Sequence, residues 1–117
     1  MRQVVFAAII VCSMPSSSAN ARTGNELLSQ CTTSTASQFY WQDRAGCAAF
    51  IEGFVEGATS FQEMWPQSQR KMICVPQGVT TGQIRDVVVK WLAQHPEFRH
   101  NSDMMSVTSA AISAFPC

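Results

Sequence analysis

The chain has little charge. Only 14% of its 117 residues are Asp, Glu, Lys or Arg, eight basic against eight acidic, and no run of like charge exceeds two residues. That removes the electrostatic basis for binding nucleic acid or an anionic membrane surface. No pair of cysteines has the C-x-x-C spacing of a zinc knuckle, so neither a metal nor another cofactor is expected. There is no G-x-S-x-G and no H-E-x-x-H. Hydrolysis needs a nucleophile activated by a base, or an arranged carboxylate pair. Glu52 and Glu56 are one helical turn apart, the ordinary spacing of a solvated face. The two histidines, His95 and His100, flank Pro96. His95 is placed to end a helix, where a cation is favoured, and His100 to lead into the next. The expectation is a protein without catalytic residues.

No apolar run is long enough to cross a bilayer, which takes roughly 20 residues. The apolar stretch Val4–Val11 follows Arg2 and precedes a small, polar segment ending in Ala19-Asn20-Ala21, the form of a signal peptidase site. Residues 1–21 therefore read as a signal peptide, with no membrane anchor after its removal, and residues 22–117 as one domain. Val11 before Cys12 is not the small residue a lipidation site wants. Removing the leader leaves Cys31, Cys47, Cys74 and Cys117, an even number in a small exported chain, which reads as a disulfide framework.

Helix-start chemistry is specific at two places. Thr23 and Glu26 form a capping box before Leu27 and Leu28, in a helix ending near Cys31. Thr80 and Gln83 form a second, with Val79 placed to staple onto Ile84. Ile84, Val87, Val88, Trp91 and Leu92 then follow the spacing of one buried helical face, and Pro96 disfavours helix at His95. Between these, Asp43 is expected to cap a long helix through about Met64. Its predicted inward stripe is Cys47, Phe50, Ile51, Phe54, Ala58, Phe61 and Trp65, with Trp65 closing the core. Gly53 and Gly57 stack on one side, and since each costs on the order of 1 kcal/mol against alanine, a close approach by a neighbouring helix is expected there. A last helix from about Ser102 to Phe115 should turn Met104, Val107, Thr108, Ala111, Ile112 and Phe115 inward. No β-hairpin signal occurs. The fold class is all-α, a compact domain of about four helices.

Antiparallel hairpins in this layout would bring Cys31 to Cys47 and Cys74 to Cys117, one of the three connectivities that four cysteines permit. Each such bridge stabilises by roughly 3–4 kcal/mol in the chain-entropy model, against a total for such domains of about 5–15 kcal/mol.

The stretches TGNELLSQC (23–31), CAAFIEGFVEGA (47–58), CVPQGVTTGQIRDVVVKWLAQHPEFRH (74–100) and a terminal AFPC (114–117) occur in an order that resembles the Tai/Rap family, the type VI amidase immunity and resistance-associated proteins. The likeness is most specific from Cys74 to His100. It implies an exported, disulfide-bonded helical protein of the periplasm, often a homodimer, that binds and covers a peptidoglycan amidase effector delivered by type VI secretion. The matching residues are caps, turns, cysteines and core positions, and so speak for the fold more than for the partner. A periplasmic stress chaperone, or an accessory envelope protein without a toxin partner, is the alternative.

Two partner-binding regions are expected. Trp41, beside Phe39 and Tyr40 in a polar connector, is either a core plug or an interface anchor, since tryptophan is enriched in hot spots. Gln67, Ser68, Gln69, Arg70 and Lys71 form a polar segment between two helices, either a plain exposed loop or a place where recognition resides.

Overall fold

The structure is a computed structural model that describes residues 21–65 and 71–117. Four α-helices follow in chain order: α1 (Gly24–Cys31), α2 (Tyr40–Met64), α3 (Thr81–Gln94) and α4 (Asp103–Ala114), with a 3-10 turn at Pro96–Phe98 between the last two. Among the described residues the β pairing is limited to two isolated bridges, Thr23 with Ser102 and Ile73 with Pro116.

Both predicted capping boxes form. The Glu26 amide donates to Thr23 Oγ1 at 3.3 Å, and the Thr23 amide donates back to Glu26 Oε2 at 2.7 Å. At α3 the Gln83 amide donates to Thr80 Oγ1 at 3.2 Å, and the Thr80 amide to Gln83 Oε1 at 2.8 Å. Each box satisfies amides that the first turn leaves without partners.

The start of α2 differs from the sequence expectation. Asp43 does not cap it; the helix begins at Tyr40, and the N-cap residue Phe39 contributes no side-chain bond. The serines before it close the entry turn instead, with Ser37 Oγ accepting from the Phe39 amide and Ser37 O from the Tyr40 amide, both at 3.2 Å. Asp43 then falls inside the first turn, where its carboxylate accepts from the Thr33 hydroxyl at 2.8 Å.

Leu27 of α1, Cys47 and Ile51 of α2, Ile84, Val88 and Leu92 of α3, and Val107 and Ala110 of α4 make one core. Val79 packs against it, as the staple requires. The predicted stripe of α2 is correct only over its first half. Phe50 and Phe54 pack on the core, but Phe61 and Trp65 stay 47% and 48% exposed, so Trp65 does not close the core. The reason is length. At 25 residues α2 spans about 37 Å, against about 21 Å for the 14 residues of α3, so its second half overhangs its partners. Gly53 and Gly57 accordingly have no neighbour within 4 Å of where a Cβ would stand, so the expected close approach of a helix does not occur there.

On α4 the inward face is rotated from the expected one. Asp103, Ser106, Val107, Ala110 and Ala111 are buried, while Met104 is 47% exposed. Asp103 is drawn in by Arg22, whose carbonyl accepts from its amide and whose Nε donates to its carboxylate, each at 2.8 Å. Met104, the next residue, is thereby turned out. Gly24 meets this face closely: a Cβ there would lie 2.6 Å from Ser106 Oγ and 3.2 Å from the Arg99 carbonyl oxygen.

The disulfides are Cys31–Cys47 and Cys74–Cys117, with Cα separations of 5.2 and 5.1 Å. The first joins the end of α1 to Cys47, about two turns into α2 because that helix starts earlier than expected, and the second holds the C-terminus against the segment entering α3; both pairings are those of the hairpin layout. That segment is also held by Gln62 of α2, whose Oε1 accepts from the Met72 and Ile73 amides and whose Nε2 donates to the Ile73 carbonyl.

Candidate protein-binding surface

Trp41 stands in the first turn of α2 and is 76% exposed. It is therefore no core plug. The helix fixes its surroundings: Tyr40 packs edge-on against it, centroids 5.0 Å apart at 70°, and Arg44, one turn later, donates to the Tyr40 hydroxyl at 2.7 Å. Phe39 is also exposed. Beside this group an open cleft of about 300 Å³ separates the start of α2 from α3, lined by Thr32, Thr33, Thr35, Tyr40, Arg44 and Arg85 among others.

The second predicted region lies elsewhere. Gln67, Ser68, Gln69 and Arg70 fall outside the described residues; Lys71 is exposed. Its neighbour Met72 is bonded to Gln62, 21 residues along α2 from Trp41 and so about 31 Å away along the axis. Trp41 and Lys71 thus mark opposite ends of α2 and do not form one compact patch. At the Lys71 end, Phe61 and Trp65 pack together with centroids 5.0 Å apart, and Met64 and Met72 are exposed.

The connector after α3 is built largely for structure. His95 is the C-cap of α3, with Nδ1 2.8 Å from the Trp91 carbonyl oxygen. Its ring stacks on Trp91 at 4.5 Å and 18°. Arg99, which the sequence did not single out, donates to the Leu92 and Ala93 carbonyls at 2.6 and 3.1 Å and satisfies the last turn of the helix. His100 is exposed, as are Glu52 and Glu56 on α2. Among the described residues, no group of three or more His, Cys, Asp and Glu could hold a metal ion.

Sequence reasoning also missed the exposed methionines. Met104 borders a shallow apolar depression with Gly53, Phe54, Gly57 and Ala58, and Met105 one with Trp91 and Phe98. Neither could be read from periodicity, because each depends on how α4 is rotated.

A family model, that of the Rap1a immunity proteins, matches residues 23–117. No curated protein and no solved structure matches the chain.

Proposed function

Because the chain belongs to the Rap1a immunity proteins, we propose that it is a periplasmic immunity protein that binds a peptidoglycan amidase effector of type VI secretion and occludes its active site. The observation that carries this reading is the family match over the whole folded domain. Two physical features support it. Two disulfides give the domain a rigid frame suited to an oxidising compartment. Large side chains of the kinds enriched at interfaces, Trp41, Met64 and Met105 foremost, are more than half exposed. Residues 1–21 would direct export, and the protein recovered from the periplasm should begin at Arg22.

The test is co-purification of the protein with the amidase effectors of the strain that carries it, together with survival of cells that express effector in the periplasm. Protection that requires this protein and accompanies a stable complex is the expected result. Failure to bind or block any of those amidases overturns the reading, and suppression of aggregation across unrelated clients would replace it with a chaperone. Light scattering on the purified protein checks whether it is the homodimer that the family resemblance implies.

A further inference from the structure

Arg44 has an unused charge. Among the described residues the ion pairs are Arg22–Asp103 and Arg85–Asp86, and neither involves it. Its guanidinium lies over the Tyr40 ring, 5.9 Å from the centroid, and donates to the Tyr40 hydroxyl. A guanidinium has five N–H donors in a planar fork, so most of this one is unspent. Arg85, across the cleft on α3, spends Nε and Nη2 on a single oxygen of Asp86, at 3.1 and 2.8 Å, which leaves Nη1 available.

The cleft between them therefore carries two guanidiniums against the one carboxylate of Asp86. Asp43, in the same turn of α2, keeps its charge but stands behind Thr33, whose hydroxyl donates to it, and does not line the cleft. Thr32 and Thr33 direct their hydroxyls to the Leu28 carbonyl and to Asp43, while Thr35 contributes a further hydroxyl to the lining. Beside the cleft, Trp41 presents an apolar face that is 76% exposed, and Tyr40 touches both, lining the cleft and packing on the indole.

We propose that this cleft receives an aspartate or glutamate side chain of the protein partner, gripped by Arg44 and Arg85, while apolar surface next to that acidic residue seats on Trp41. The chemistry selects such an occupant. A forked guanidinium matches a carboxylate in a bidentate, charge-assisted pair, and tryptophan and arginine together are the side chains that dominate interface hot spots. The one excess positive charge among the lining residues suits one carboxylate, whereas a polyanion needs a basic stripe that this chain, at eight basic and eight acidic residues, does not have.

This inference rests on the immunity reading and is tested with the amidase effector captured by the wild-type protein. Arg44→Glu and Trp41→Ala should each weaken that complex at least tenfold with unchanged thermal midpoint, and Arg44→Glu should flatten its salt dependence. A reversed charge on the matching acidic residue of the effector should restore binding to Arg44→Glu. Lys71→Glu, at the far end of α2, should leave affinity within twofold. If both Arg44→Glu and Trp41→Ala bind as wild type, the cleft is not the recognition site, although the immunity reading stands. If the wild-type protein captures no effector, that reading fails and takes this one with it.

Discussion

Arg22 and Asp103, 81 positions apart, are joined twice: Arg22 Nε donates to Asp103 Oδ2 at 2.8 Å, and the Asp103 amide donates to the Arg22 carbonyl, also at 2.8 Å. The guanidinium also bonds the Gln30 side-chain carbonyl and sits 4.6 Å from the centroid of the Phe50 ring. The first residue after the expected export cut thus touches α1, α2 and α4.

Asp103→Ala should therefore destabilise the domain by about 2 kcal/mol, since it removes a charged hydrogen bond from a mostly buried carboxylate and leaves the Arg22 guanidinium with Gln30 as its remaining side-chain acceptor. For a domain of this size that lowers the thermal midpoint by roughly 8–16 °C. Calorimetry on the mature protein measures it; a loss under 0.5 kcal/mol would show the pair to be ornamental.

The glycines separate into two kinds. Gly24→Ala places a methyl 2.6 Å from Ser106 Oγ and 3.2 Å from a backbone oxygen, and should cost about 1–3 kcal/mol. Adding Ser106→Ala removes the nearer clash and should recover only part of the loss, because the Arg99 carbonyl remains. Gly53→Ala and Gly57→Ala meet nothing within 4 Å and should each stabilise by up to about 1 kcal/mol. Urea unfolding of the four variants decides.

The two bridges should differ in reactivity. Cys74 and Cys117 are exposed, whereas Cys47 is fully buried in the core. Under limiting dithiol, alkylation followed by mass mapping should label Cys74 and Cys117 well before Cys31 and Cys47. Simultaneous labelling would mean that reduction proceeds only through global unfolding.

Acid should weaken the start of α1. The backbone bond from Thr23, then the hydroxyl bond, hold the Glu26 carboxyl below its usual value. A carboxyl depressed in the folded state contributes stability that is complete above its unfolded pKa and is lost as pH falls through the folded one. Glu26→Gln, which retains the reciprocal bond as Gln83 does at α3, should remove that part of the pH dependence below about pH 5. Unfolding midpoints measured from pH 7 to pH 3 test the sign; identical profiles for the two proteins would contradict it.

Much of the fold was legible because its signals are local. Thr23 with Glu26 and Thr80 with Gln83 satisfy helix amides within four residues, Pro96 stops α3 by its own sterics, and the stripe through Ile84, Val88 and Leu92 requires one buried face. The cysteine pairs followed from the order of the helices. For the proposed binding surface, Trp41 drew attention as an aromatic in a polar connector, but nothing in the sequence tied it to Arg85, more than forty residues later.

Sequence alone thus determined the helices, their main stops and the covalent frame, because caps, proline and cysteine act on near neighbours or on the order of elements. Tertiary structure decided how much of α2 is covered and which way α4 faces. Periodicity shows that an apolar stripe exists, but α2 outruns the helices beside it. The pairing of Arg22 with Asp103 and the close seat of Gly24 on Ser106 set the face that α4 buries, and Met104 is left at the surface.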